Sequence, residues 1–303
     1  MRLFFSAAIC VWHMVVVPLY GKDADEALFT SAANGDVKML QAALDRGAQP
    51  EARNAVGYTP LIVAAKSGQL EAARLLIAAG ASVFTKSAKG TMPLGFAAES
   101  GNVDLIKLLV AHGAPIDTPG NTGATPLMSA CFFGRLEAIN YFLDQGVSLD
   151  RTVMKDSIGR SITPFWGAVL SGKTEVAKFF LDRGAQINAT IKNDNVVMEA
   201  AKYPHPEMLR FLIERGANIH QKNGSNTALL YAAYNGREEN VRILLEAGAS
   251  MRPGILEEAK FEPESAGYKM LAEALKKGVL KPPAKTVRDV ANVPWKMPSA
   301  DGK

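Results

Sequence analysis

The chain has 303 residues, with 34 Lys and Arg against 30 Asp and Glu for a net charge of +4. From Ala266 to Lys303 eight Lys and Arg stand against three Asp and Glu, a net +5, so the remainder is close to neutral and a globally basic surface for nucleic acid is excluded. The only cysteines are Cys10 and Cys131; if the N-terminal segment is removed, one thiol remains and no internal disulfide can form.

Met1-Arg2 precedes an apolar run from Leu3 to Val17, broken by Ser6 and His13 and closed by Pro18. That run is shorter than the ~20 residues that span a bilayer and fits the core of a signal peptide over residues 1–21. Gly21 suits a cleavage site, whereas Leu19 two residues earlier is large for one, so both a cleaved signal and an uncleaved anchor stand. The charge-then-apolar pattern makes export, periplasmic or secreted, the expectation, against the alternative of a buried N-terminal helix. No other apolar run is long enough to cross a membrane.

From Asp25 the chain is punctuated by glycine. Residues Gly57 to Lys89 give the clearest unit. Thr59 is placed to cap a helix and Pro60 to open it, because a first-turn residue needs no N–H. Leu61 and the small pair Ala64-Ala65 follow, and Gly68 stops the helix in the left-handed conformation. Leu70, Ala73, Leu76 and Ile77 then form an apolar stripe at helical spacing, ended by Gly80, and an extended tip runs to Gly90. The second stop recurs at Gly47, Gly80, Gly113, Gly146, Gly184, Gly216 and Gly248, at steps of 33, 33, 33, 38, 32 and 32. Twelve residues before each stands Gly35, Gly68, Gly101, Gly134, Gly172, Pro204 or Gly236.

Openings of the same kind stand at Thr59-Pro60-Leu61, Met92-Pro93-Leu94, Thr125-Pro126-Leu127 and Thr163-Pro164-Phe165, with a weaker Thr227-Ala228-Leu229. Period and opening together resemble the ankyrin repeat. The resemblance covers 25–250 and implies an all-α solenoid of about seven helix-turn-helix repeats with extended hairpin tips. The His that follows T-P-L in that family is replaced here by Ile62, Gly95, Met128, Trp166 and Leu230.

Residues 25–56 lack the opening and are expected to form an N-terminal cap. The period breaks between Leu149 and Ile162, where the tip is about five residues longer and mixes Arg151 and Lys155 with Val153, Met154 and Ile158. Two readings stand for it, a tolerated surface insertion and a recognition loop. In the sixth repeat Tyr203-Pro204-His205-Pro206 replaces the inter-helix turn and Asn195-Val196-Val197 the opening. Residues 251–280 are expected to add degenerate capping helices, and the proline-punctuated 281–303 a disordered or docking tail.

No chemistry stands out. His13, His112, His205 and His220 lack metal-ligand spacing, there is no phosphate-cradling glycine loop, and no nucleophile motif is present. An enzyme, a metal, a cofactor and a small-molecule substrate are therefore not expected. Cys131 is expected as a small buried hydrophobe.

The resemblance implies that the two residues before the first glycine of each repeat point into a concave groove. Aromatics cluster there in the second half, at Phe132, Phe133, Tyr203 and Tyr234, with Leu170 and, a turn away, Trp166. These six, with Arg151 and Lys155 on the long tip, are the expected partner-binding residues of a non-enzymatic protein-interaction scaffold acting through repeats four to seven. The alternative for the aromatics is packing on the long tip and on one another. The alternative function is an envelope-associated structural protein, held by an uncleaved anchor and a basic tail that alone touch the membrane.

Overall fold

The computed structural model of the protein describes residues 23–149, 154–155, 161–249 and 266–276. The chain divides into two compact units, Met1–Pro164 and Phe165–Lys303. The first unit carries α1 (23–34) and α2 (Val37–Asp45), α3 (Pro60–Lys66) and α4 (Leu70–Ala78), α5 (Pro93–Ser100) and α6 (Val103–Ala111), and α7 (Pro126–Phe133) and α8 (Leu136–Asp144). Two short strands, β1 (Met154–Lys155) and β2 (Ser161–Ile162), pair antiparallel after them. In the second unit, entered through α9 (Pro164–Leu170), come α10 (Thr174–Asp182), β3 (Thr190–Ile191), β4 (Asp194–Asn195), α11 (Val196–Lys202) and α12 (Pro206–Glu214). α13 (Ala228–Tyr234), α14 (Glu238–Glu246) and α15 (Ala266–Lys276) complete it. The all-α architecture of paired helices with hairpin tips is the one that the resemblance to the ankyrin repeat implies.

Each unit is a stack of first helices against first helices and second against second. In the first unit α3, α5 and α7 pack in sequence, as do α2, α4, α6 and α8; in the second, α11 packs on α13 and α12 on both α10 and α14. α15 closes against α13 and, less extensively, α14, with Leu271 fully buried. Close approach of the first helices requires small side chains, and the pairs Ala64-Ala65, Ala97-Ala98, Ala130-Cys131, Ala168-Val169, Ala200-Ala201 and Ala232-Ala233 are all buried.

The Thr of the opening is a working cap. The Thr59, Thr125 and Thr227 hydroxyls each accept from the backbone N–H three residues on, at 3.3 Å. Asn195, in the degraded sixth opening, does the same to Met198 at 3.0 Å. The motif is lost there while its function is kept. At the family's His position the side chains of Ile62, Met128, Trp166, Met198 and Leu230 are all buried, so packing occupies the place of a polar contact.

Two sets of rungs join consecutive repeats. The residue after the first glycine reaches back to a carbonyl at the end of the preceding first helix: Gln69 to Ala33 at 3.3 Å, Asn102 to Gly68 at 2.9 Å, Arg135 to Glu99 at 2.8 Å and Arg237 to Lys202 at 3.1 Å. Those carbonyls have no helical donor, so each rung fills a vacancy the helix end creates. At the tips, Glu51 accepts from the Ser82 N–H and Asn188 from the Asn218 N–H, both at 2.8 Å. The corresponding pair one repeat after Glu51 is Phe84 and Pro115, which offer neither acceptor nor N–H. There the Phe84 ring lies over Gly113 instead, with Cζ 3.5 Å from where a Cβ would be, and stays exposed.

The first-helix ends also differ in one instructive place. Gly68, Gly134, Gly172 and Gly236 adopt positive φ, and each donates its N–H to the residue three back, while the next residue donates to the one five before itself. In the sixth repeat Pro204 stands at the glycine position and has no N–H, and the His205 N–H turns to Tyr203 O. The carbonyls of Ala201 and Ala200 thereby lose both of these donors. The buried Asn240 replaces them: its Nδ2 lies 3.2 Å from Ala201 O, 3.4 Å from Ala200 O and 2.8 Å from Tyr203 O.

Candidate interaction surface

In the first unit the residues before the first glycine place Lys66 and Ser67, then Glu99 and Ser100, then Phe132 and Phe133 at the ends of α3, α5 and α7. Phe133 is 48% exposed and Phe132 half-buried. Lys66 stands 5.4 Å from the Tyr58 ring centre, and Tyr58 meets Phe96 edge-on at 5.2 Å. Burial raises the Glu99 carboxyl above its ordinary range, and the ammonium groups of Lys66 and Lys89 offset part of that.

In the second unit Leu170 ends α9, half-buried, while Tyr203 and Tyr234 at the ends of α11 and α13 are exposed, 36% and 46%. Tyr203 stacks on His205 with ring centres 6.5 Å apart. The turn that carries both is held by Pro204 and Pro206 and seated against Gly172, where an added Cβ would come within 2.6 Å of the His205 ring.

Trp166 does not belong to an exposed strip. It is 2% exposed and fills the core position that follows the opening, the same one taken by Ile62, Met128 and Leu230. Counting a turn back from Leu170 put it on the wrong side because the opening fixes which face of the helix turns inward. Lys155 lies in β1 opposite Ser161, and Arg151 lies outside the described residues.

Sequence reasoning missed a buried polar network behind Tyr203. The two-residue turn joining β3 to β4 has Lys192 and Asn193 both at positive φ, the geometry of a type I′ hairpin. It delivers Asp194 into the interior, 4% exposed, beside the fully buried Glu199. Lys202 Nζ donates to Asp194 Oδ2 at 2.9 Å and Glu199 Oε2 at 3.0 Å. Asn223 Nδ2 and the Tyr231 hydroxyl donate to Asp194 Oδ1 at 2.9 and 3.3 Å. The Lys202 ammonium also sits 4.3 Å from the centre of the Tyr231 ring. Burial by itself would lower the Lys202 pKa, but Glu199 and Asp194 outweigh it and hold the ammonium above its usual value. Burial and Asp194 together raise the Tyr231 phenol. Lys202, expected to be a variable groove position, is thus committed to this network. A charge at Glu199, in a helix column otherwise held by Val63, Phe96, Ser129, Gly167 and Tyr231, was the signal available in the sequence.

The arrangement offers recognition chemistry. Among the described residues no group of His, Cys, Asp and Glu could hold a metal ion, and no helix is long and apolar enough to cross a membrane. Cys131 is fully buried, and burial pushes its thiol far up, which makes it a poor nucleophile.

Three comparisons bear on kinship. No curated protein sequence matches the chain. Among solved structures it resembles the crystal structure of the human ASB11 ankyrin repeat domain, with 24% identity, a TM-score of 0.59, and coverage of 74% of this chain and 99% of that one. That likeness concerns the fold alone. The family profile described as ankyrin repeats matches in three copies, at residues 10–87, 81–153 and 162–253, the first beginning inside the segment expected to be a signal peptide. With most of its length matched in this way, the chain belongs to the ankyrin-repeat family.

Proposed function

We propose that this protein is a non-enzymatic scaffold that binds a protein partner through the ends of its first helices in repeats four to seven. The observation that carries the reading is the exposure of Phe133, Tyr203 and Tyr234 at equivalent positions of their repeats, where a buried packing role would hide them. Rigid aromatic rings bury much area for little lost entropy, so a few of them supply most of an interface's affinity. Phe132 and Leu170, both half-buried, border these anchors. Arg151 and Lys155 on the long tip are a second contact.

The test is affinity for the partner captured by crosslinking from the native source, measured with the intact chain and with Phe133→Ala, Tyr203→Ala and Tyr234→Ala combined. Loss of about tenfold or more in affinity is expected, with the melting temperature unchanged. Equal affinity of the two proteins sinks the proposal.

We further propose that the protein is exported, directed by residues 1–21. Support comes from the charge-then-apolar order of that segment. Sequencing the N-terminus of the protein from its native compartment should give a start near Lys22. Retention of Met1 on cytoplasmic protein would overturn it.

A further inference from the structure

We infer that the first unit carries an interaction surface of its own, apart from the aromatic helix ends. It is the cationic face where the first two tips meet the end of α3, built from Arg53, Lys66, Lys86 and Lys89, and it takes an acidic segment of a protein partner that also bears an apolar side chain. The inference stands without the aromatic reading, on three observations.

The first is convergence. Arg53 Nη1 donates to Gly57 O at 2.9 Å and across to Lys86 O at 3.0 Å, so its guanidinium ties the tip of the first repeat to that of the second. Gly57 lies against Ala88, where an added Cβ would come 3.4 Å from the Ala88 Cβ, and Lys89 follows Ala88 in the chain. Tyr58 follows Gly57, and the Lys66 ammonium stands 5.4 Å from the centre of its ring. Four cations from three segments thus share one face, and all four residues are exposed.

A missing countercharge is the second. On the second helices Arg74 pairs with Glu71 at 3.5 Å and Lys107 with Asp104 at 3.4 Å. Among the described residues none of the four cations of this face stands in an ion pair. Of the nearby carboxyls, Glu51 is engaged by the Ser82 N–H and the Thr85 hydroxyl, at 2.8 and 2.7 Å. Glu99 is acted on by both Lys66 and Lys89, but its partial burial disfavours the ionised form. Positive charge is therefore in surplus. Arg135 adds to it, donating Nε to Glu99 O at 2.8 Å.

The third is an apolar element among the charges. Val56, beside Gly57, is 61% exposed, and the half-buried Tyr58 ring meets Phe96 edge-on at 5.2 Å. A nucleic acid brings a phosphate at every step of its backbone and would set one against Glu99 in any register. A peptide alternates the two chemistries: its carboxylates meet the lysines while an apolar side chain meets Val56 and Tyr58.

Binding is read by fluorescence anisotropy on the full chain, with a short labelled peptide repeating Asp-Glu-Phe as the probe and the isosteric Asn-Gln-Phe repeat as its neutral counterpart. The acidic probe should bind about tenfold tighter than the neutral one, and added salt should erode that margin. Lys66→Gln and Lys89→Gln together should weaken it about tenfold with the circular dichroism unchanged. Glu99→Gln should tighten it severalfold, because a like charge is removed. Equal binding of the two peptides, indifference to the lysine pair, or weakening by Glu99→Gln each overturns the proposal. So does tighter binding of oligodeoxythymidylate or of phosphatidylserine vesicles than of the acidic probe, which would give the face to a nucleic acid or a membrane. The variant carrying Tyr203→Ala and Tyr234→Ala should bind the probe as the parent does; loss of binding there would assign the probe to the aromatic surface and overturn the proposal as well.

Discussion

Replacing Asn240 by Leu tests whether a side chain of the seventh repeat completes the helix end of the sixth. The columns of the other repeats place Met39, Ala72, Leu105, Ala138, Val176 and Met208 at the same position, so an apolar side chain fits there and the change is chiefly one of hydrogen bonding. What is lost is the amide that serves three carbonyls. Ala200 O keeps the Tyr203 N–H and Tyr203 O keeps the His205 N–H, which leaves Ala201 O with the largest deficit. One well-made bond contributes about 1 kcal/mol and a stranded buried carbonyl costs about 1–3 kcal/mol, so a destabilisation of about 2 kcal/mol is expected. For a chain of this size that is roughly 4–8 °C in melting temperature. Asn240→Asp, isosteric but without donors, should cost more, because it sets a carboxylate against the carbonyls. Urea melts followed by circular dichroism give the magnitude, and amide exchange in α11 gives the location. A repeat array unfolds piecewise, so the exchange of 196–203 should rise ahead of α3 to α8. If Asn240→Leu melts within ~0.5 kcal/mol of the parent, the vacancy argument built on Pro204 is wrong.

Four other outcomes are expected. Lys202→Met leaves two buried carboxylates without their cation and should cost about 3–5 kcal/mol at neutral pH, read by the same melts. Because the Lys202 pKa is raised on folding, its contribution is fully present below the ordinary lysine pKa and is lost as pH climbs through the raised value, so an alkaline titration of stability should flatten in that variant. Trp166→Ala should cost about 3–5 kcal/mol without being part of the partner surface, which separates it from Tyr203→Ala and Tyr234→Ala. Glu99→Gln should raise stability at neutral pH: a carboxyl with a raised folded pKa costs stability once ionised, so the gain should vanish as pH falls and the parent's Glu99 is protonated. Cys131 should resist alkylation by iodoacetamide in the native protein and react at once in urea; rapid native labelling would contradict its burial.

Repeat count, helix pairing and the buried columns were legible because they follow from side-chain periodicity, which the chain states seven times over. Exposure at Phe133, Tyr203 and Tyr234 was legible for the same reason. Trp166 was not legible from its spacing of one turn from Leu170, because the Thr163-Pro164 opening decides which face of a helix this short is buried. The network around Asp194 was hidden because its members come from a hairpin, two first helices and the next tip, joined by contacts 29 and 37 residues apart that no local pattern announces. Asn240 and Pro204 are each a single departure from the repeat. Only the main-chain bonds reveal that one departure answers the other.

The rungs between repeats bear on how such a chain can be lengthened, shortened or recombined. Gln69, Asn102, Arg135 and Arg237 each grip a neighbour's backbone carbonyl, which every residue type supplies, so a repeat bearing such a rung can in principle be grafted beside a new neighbour without a matching change there. Repeats six and seven have given up that freedom. With Pro204 in one and Asn240 in the other, a duplication or excision that parts them leaves a stranded helix end on one side and a buried amide without acceptors on the other. They form a single heritable block, and a chimera should cut before Thr190 or after Gly248, not between.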